Sequence, residues 1–385
     1  MAAAPEPPSS SAVDSAITSL QQLNILDSNE KLTGLGQIFS TLPLHPSLGK
    51  MVVLGICFRC FDALLLLSAA TDGKGLFTRG SSKEERFRLS LDSQSDHLAT
   101  INAFRKARRL RDQTGDYQEF YEFVTSSGID LDEFERIDSN TRQIEETLVS
   151  IGLLPYTEPT ASLDSQRGPP SLNENGENAA LIKALALSCF PAQIGSSMSP
   201  KRLRTRSESS AIVSPTSING SQGKKPTSRQ YGDLLLYSEI AKTDHVKMLR
   251  DTSTVSPLMV ALFGGSLIQS TSGRHPTFQS ILLVDEWISV GLSRKDADTL
   301  LRFRNCLEDV IASSLKNLLR SRGVQRDQHE VFAREIEQNE AATRKFVDAL
   351  GNLLQLDEKL KQSKPEVSEE SVMAPLPTGP ILLTR

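Results

Sequence analysis

The stretch DHLATINAFRKARRLR, Asp96–Arg111, carries the clearest structural signal in this chain. Leu98, Ile101, Phe104, Ala107 and then Leu110 or Arg111 recur at three-to-four-residue spacing, the period of an amphipathic helix. Working outward, Tyr117, Phe120, Tyr121 and Val124 predict a second helix. Ile144, Leu148, Ile151 and Leu154 predict a third, which Pro155 ends. Residues 49–155 therefore read as a helical bundle that opens on a long apolar segment, Gly49–Ala70. Upstream, residues 1–10 are rich in Pro, Ala and Ser and are expected to be disordered. Val13, Ala16, Ile17, Leu20 and Leu23 then fit one helical face, a turn follows at Asp27–Glu30, and a short helical stretch stops before Pro43. Small helices around a tight turn over residues 11–48 suit a compact winged-helix-like unit, although propensity alone does not choose that fold.

Downstream, residues 156–178 are rich in Pro, Ser, Asn, Glu and Gly and are expected to form a disordered insert. Ala179–Cys189 returns to helix, so that residues 179–194 close the helical domain. Gly195–Gln230 holds seven basic residues against one acid, Glu208, with no periodicity, and is expected to be a basic disordered linker. From Tyr231 the pattern changes. Leu234–Tyr237, Val246–Leu249, Leu258–Phe263 and Ser280–Val284 are short apolar runs separated by polar or Gly-containing turns, which predicts a small β-barrel over residues 231–292. Ser293 with Asp296 reads as a helix cap. Leu300, Phe303, Leu307 and Leu315 continue that helix; residues 293–361 are expected to be C-terminal helices and 362–385 a disordered tail. The fold class is multidomain, mainly α with a small β-barrel.

Composition limits the function. The 385 residues carry 43 basic and 47 acidic side chains, a net charge of -4, which argues against attachment to nucleic acid or anionic membrane by bulk charge. Four cysteines make no disulfide scaffold and point to an intracellular setting, cytoplasm or nucleus. The N-terminus lacks a basic segment followed by an apolar run, and the apolar LLLLSAA at Leu64–Ala70 is too short to cross a bilayer. No GxxxxGK[ST], HExxH, paired CxxC or GxSxG motif is present; DGKG at Asp72–Gly75 lacks the phosphate-loop spacing. Cys57 and Cys60 form a lone CxxC inside an apolar run, which reads as buried small side chains rather than half a zinc site. The histidines are scattered. No catalytic, cofactor-binding or metal-binding residue is assigned.

The run LTGLGQIFSTLPLHPSLGKMVVLG, Leu32–Gly55, resembles the end of the winged helix and the start of the helicase-associated domain of DEAH/RHA-type ATP-dependent RNA helicases. The likeness continues through Cys60, Ala69–Ala70 and Phe77. Asp96–His97–Leu98 followed by Asn102–Ala103–Phe104 is similar to that family's SDHLxxLNxY helix. VSPLMVALFGG, Val255–Gly265, and LLVDEWISV, Leu282–Val290, are similar to its terminal OB-fold. The resemblance covers about residues 7–320 and implies a winged-helix part, a helical bundle and an OB-fold in that order. Asp285 and Glu286 precede Trp287, not Ala–His, and read as turn residues, with Trp287 as a packing anchor.

The resemblance implies single-stranded RNA as the partner, with a protein activator at the OB-fold as the rival partner and no membrane. ATP and magnesium are implied only for the family's motor domains, whose motifs this sequence does not contain; alone it is expected to hydrolyse no ATP and unwind nothing. Two readings follow: the C-terminal part of a helicase, or a motorless adaptor derived from one. Phosphate contact needs cations, so the RNA candidates are Asn102, Arg105, Lys106 and Arg109, with Arg108 beside them, on one helix; Lys247, Arg250, Thr254 and His275 are the candidates on the barrel. Tyr231–Arg320 balances ten basic against ten acidic residues and has no net cationic footprint. PKRLRTRSES, Pro200–Ser209, is open to three readings: plain linker, nuclear-localisation signal or phosphorylatable element.

Overall fold

The computed structural model describes residues 8–42, 44–78, 80–113, 117–155, 166–199, 202–220, 234–242, 246–269, 280–323, 329–362 and 381–382. At its centre lie α3 (Pro46–Phe58) and α4 (Phe61–Thr71), preceded by α1 (Ser10–Gln22) and α2 (Gly34–Phe39). The apolar run that forms α3 and α4 is buried on nearly every side, as helices without a polar face must be. It breaks at Arg59, whose left-handed backbone (φ 58°) caps α3. Gly55 lets the two helices meet there: a Cβ would stand 3.2 Å from both Leu64 and Phe61.

Around this pair pack α5 (Lys83–Leu89), α6 (Asp96–Gln113), α7 (Tyr117–Ser127), α8 (Leu131–Ser150) and α9 (Ala179–Cys189). The inward residues of α6 are Leu98, Ile101, Phe104 and Ala107, as their spacing predicts. α1 starts at Ser10 with Ser9 accepting from Ala12 N, so the end of the segment expected to be disordered is a helix cap. Residues 166–178, also expected to be disordered, are built into the core. Asn173 Oδ1 accepts from Asp62 N at 2.8 Å, Arg167 Nη2 reaches Asp138 at 2.9 Å, and Gly168 N donates to Glu145 at 2.8 Å. Gly168 (φ 74°) lies so close to Phe61 that a Cβ would be 2.6 Å from the ring. Polar side chains bonded to buried backbone hold this segment where apolar content does not.

The largest departure concerns residues 194–220. They supply β1 (Ile194–Ser199), β2 (Arg202–Thr205) and β3 (Ile212–Val213), which join β4 (Leu234–Lys242) and β5 (Lys247–Val255) in one sheet of order β2-β1-β4-β5-β3. The part of the expected basic linker that is described is thus strands and the turns between them, and residues 200, 201 and 221–230 lie outside the described residues. The pairings are antiparallel except β3 with β5. Leu203 and Ala211 exchange two backbone hydrogen bonds of 2.8 Å, closing the outer strands on each other. Physically, β4 and β5 alone would leave two bare edges, and β1 and β3 cover them. Inside sit Leu203, Ala211, Val213, Leu235, Tyr237 and Leu249, while Leu234 and Leu236 face the helical core.

Val255 is followed by α10 (Pro257–Phe263), not the strand expected at Leu258–Phe263. Ser256 accepts from Met259 N and Pro257 occupies the first helical turn, so local capping decides the ambiguous apolar run. Residues 231–292 are not one barrel. β6 (Leu267–Gln269), β7 (Ser280–Val284) and β8 (Ile288–Leu292) form a second sheet, to which β9 (Ile381–Leu382) adds in parallel beside β8. The tail expected to be disordered therefore contributes a strand at 381–382. Asp285 and Glu286, both left-handed (φ 51° and 66°), turn β7 into β8, in keeping with their reading as turn residues.

Two long helices complete the fold, α11 (Arg294–Gly323) and α12 (His329–Gln362). Ser293 caps α11 through Asp296, as expected. α11 is a strut: Arg304 donates to the carbonyls of Ala261, Gly264 and Gly265 at the end of α10, and Leu315 packs among Leu35, Ile38 and Val52 near the N-terminus. α12 buries Val347, Leu350 and Leu354, and its Glu358 pairs with the buried Lys183 of α9.

Candidate nucleic-acid interface

α6 divides its cations by helical phase. Arg105 and Arg108 point inward to Asp62 of α4, whose side chain is fully enclosed. Arg105 Nε donates to Asp62 Oδ2 at 2.7 Å, Arg108 Nη2 to Oδ1 at 2.6 Å, and Arg167 N to Oδ1 at 2.9 Å. Arg105 also holds Gly176 O and Glu177 at 3.0 Å. Burial by itself would raise the Asp62 pKa, but the charges of Arg108 and Arg105 and the Arg167 amide outweigh it and hold the carboxyl below its ordinary range. Arg105 and Arg108 are therefore committed to the fold and not free for phosphate, a correction to their reading as RNA contacts. Asn102 is half-buried and its Nδ2 donates to Leu89 O at 2.7 Å.

Lys106 and Arg109, one position further along, stand on the exposed face. Lys106 Nζ lies 4.2 Å from the centre of the Phe123 ring, an arrangement that steadies the amine without neutralising it.

The first turn of α6 joins the helices to the five-stranded sheet. Ser95 caps it, accepting from Leu98 N at 3.1 Å. Asp96 is buried: its Oδ1 takes Arg86 Nη2 at 2.8 Å and Ile218 N at 3.0 Å, and its Oδ2 takes Thr252 N of β5 at 2.8 Å and the Ser217 hydroxyl. His97 bridges Ser253 Oγ (2.6 Å) and Ser238 Oγ (2.9 Å). Burial lowers its pKa to about 4, against a smaller opposing pull from Asp96, so the ring is neutral at physiological pH. Thr254 is part of the same junction: it is buried, and its hydroxyl donates to Ser93 O at 3.2 Å. It is thus no more available to a ligand than Arg105.

On the sheet, Lys247 and Arg250 are exposed but paired. Lys247 and Lys242 share Glu208, the latter at 3.1 Å, and Arg250 reaches Glu239 at 2.6 Å. The hydrogen bonds from Lys247 and then Lys242 keep the Glu208 carboxyl below its ordinary pKa. His275 lies outside the described residues. Two cations that sequence reasoning left in a linker, Arg202 and Arg204, point outward from β2 while Leu203 and Thr205 point inward. The signal was the period-two alternation of Arg-Leu-Arg-Thr, four residues long. At the turn that follows β2, an open cleft of ≈ 440 Å³ is lined by Ala192, Gln193, Arg206, Ser207, Tyr237 and Ile240. Arg206, in that lining, is tied to Asp285.

Other candidates settle into structure. Cys60 is buried and Cys57 half-buried, and burial drives both thiols far above their ordinary pKa, in keeping with small packed side chains. Lys50 is buried with Nζ on Ser188 O at 2.8 Å, and burial lowers its pKa to about 8. Trp287 is half-buried against the main core. Among the described residues no group of three His, Cys, Asp or Glu could hold a metal ion, and no helix is long and apolar enough to cross a membrane.

The molecule is thus a mainly helical protein with a nearly closed five-stranded sheet, joined to the helices at a buried Asp–His junction, and a second small sheet. No protein-family model matches the chain. It is 29% identical over 81% of its length to ATP-dependent DNA/RNA helicase DHX36 of Bos taurus, covering 30% of that protein. It is 26% identical over 82% of its length to DExH-box ATP-dependent RNA helicase DExH1 of Arabidopsis thaliana, again covering 30%. To human ATP-dependent RNA helicase DHX29 it is 24% identical over 81% of its length, covering 22%. The likeness to DExH/DEAH-type RNA helicases is distant and partial, and the chain spans less than a third of the length of these relatives.

Proposed function

We propose that these 385 residues are the C-terminal accessory region of an ATP-dependent RNA helicase, a winged-helix part, helicase-associated bundle and OB-fold that position single-stranded RNA for a motor they do not contain. The observation that carries this reading is the junction at Asp96 and His97, which fixes the helices rigidly against a five-stranded sheet closed in the cyclic order β1-β2-β3-β5-β4. A five-stranded Greek-key barrel with exposed cations is the setting in which OB-folds take oligonucleotides. The likeness to RNA helicases over 81% of the chain adds RNA as the ligand class. The contacts we assign are Lys106 and Arg109 on α6 and Lys247, Arg250, Arg202 and Arg204 on the sheet, with His275 retained from the sequence. ATP and magnesium belong, on this reading, to the family's motor and not to this chain.

Lys247 and Arg250 sit in ion pairs and the 231–320 region is charge-balanced, which favours modest affinity and keeps the protein-adaptor reading as the rival. The test is binding of a labelled single-stranded RNA across a salt series, with an ATPase assay alongside. Counting Lys106, Arg109, Arg202 and Arg204, the assigned cations outside the Glu208 and Glu239 ion pairs, four phosphate contacts give a log–log salt slope of roughly -3, and ATP hydrolysis stays at background. A chain that binds no RNA in low salt but captures a purified protein activator through the sheet would overturn the RNA reading.

A further inference from the structure

The segment RLRTRSES, Arg202–Ser209, is the one charged motif that the RNA reading does not fully use. It holds Arg-x-Arg-x-x-Ser twice, once ending at Ser207 (Arg202, Arg204) and once at Ser209 (Arg204, Arg206). Geometry separates the two. Thr205 N donates to Glu208 O at 2.9 Å and Glu208 N to Thr205 Oγ1 at 3.0 Å, leaving Arg206 and Ser207 at the tip of a tight turn. Ser207 is exposed, and its hydroxyl has only a long 3.4 Å contact to Thr205. Arg202 and Arg204 stand on the outer side of an already extended strand, two residues apart and both exposed. Arg206, which Ser209 would need, is instead held by Asp285.

We propose that Ser207 is a phosphorylation site for an arginine-directed Ser/Thr protein kinase, recognised through Arg204 and Arg202. Acidic pockets on the kinase complement the two guanidiniums, while the extended strand needs no reshaping to present them. In the transfer, Ser207 Oγ bonds to the γ-phosphorus of ATP, the bond from that phosphorus to the β-bridging oxygen breaks, ADP leaves, and the hydroxyl proton is released. The product adds about two negative charges at pH 7. Among the described residues, five cations, Arg202, Arg204, Arg206, Lys242 and Lys247, stand near the turn against the carboxylates of Glu208 and Asp285. The phosphate therefore removes most of the local positive excess and weakens polyanion binding there. Its effect on RNA rests on the function proposed above; the modification itself does not.

The experiment treats the folded full chain with ATP and a purified kinase of Arg-x-Arg-x-x-Ser specificity, and maps the phosphate by mass spectrometry. We expect one phosphate on Ser207, lost in Ser207→Ala and in Arg204→Ala and retained in Ser209→Ala. The phosphorylated chain should leave a heparin column at lower salt and bind single-stranded RNA about tenfold more weakly at moderate salt, the loss of roughly two phosphate contacts. Labelling that requires the urea-unfolded chain, or that falls on Ser209 with Ser207 unmodified, overturns the site. An unchanged heparin elution overturns the switch. Failure of the unmodified chain to bind RNA would instead count against the proposed function, with the labelling and heparin results still decisive for Ser207.

Discussion

Arg105 and Arg108 on the inner face of α6, and Lys106 and Arg109 on its outer face, are separated by a single residue and about 100° of helical rotation. The inner pair is buried and shares one carboxylate, Asp62. The outer pair meets solvent, with Lys106 resting on an aromatic ring. A buried cation is a structural part, since removing its partner strands a charge in a medium that cannot solvate it. An exposed cation costs the fold little and is available to a ligand. The lesson is that a basic helix is two objects, and only one of them is a candidate for phosphate.

The largest effect should come from the inner face. Asp62→Ala strips the buried Arg108 of its carboxylate and leaves Arg105 only Glu177 and Gly176 O, and should cost about 3–5 kcal/mol by urea unfolding; a loss below about 1 kcal/mol would break the distinction between the faces. Next comes the junction at the start of the same helix. His97 is neutral when folded down to about pH 4, whereas its unfolded side chain titrates near 6.5. Between those values the unfolded chain binds the extra proton, so stability is full above pH 6.5 and falls as the pH drops toward 4, by about 3 kcal/mol in all. His97→Gln should flatten that part of the stability–pH curve, and an identical curve would show that the ring does not titrate as its burial requires. The outer face should give the smallest stability changes. Lys106→Ala should lose about 0.5–1 kcal/mol with its ring contact, and Arg109→Ala should stay within about 0.5 kcal/mol. Each should lower the RNA salt slope by roughly 0.7. If Arg109→Ala unfolds the chain, or leaves both affinity and slope unchanged, the outer face is not an RNA surface.

The buried phase of α6 was legible in its spacing because Leu98, Ile101, Phe104 and Ala107 repeat with the helical period. The same period puts Arg105 and Arg108 toward the core, but their acceptor is 43 and 46 residues away in sequence, and no local pattern names it. The Leu234–Tyr237 half of β4 was legible as an apolar run because all four of those residues are buried. β2 was not, since Leu203 is its only apolar residue and its partner Ala211 closes a sheet whose other members are distant. At α10, Ser256 and Pro257 were local signals of a helix start that the short apolar run Leu258–Phe263 obscured. The ordering of residues 166–178 depends on carboxylates and backbone groups of other helices, which composition cannot reveal.

By itself, then, the sequence determined that α6 is a helix and which of its apolar residues face inward, where α11 is capped, and that no phosphate-binding loop is encoded, because each depends on residues within a few positions of one another. Only the tertiary structure decided which arginines are spent on Asp62, which strands close the five-stranded sheet, and which cations remain in water. Charge, unlike hydrophobic periodicity, has no fate until its partner is known, and here the partners come from the far side of the fold.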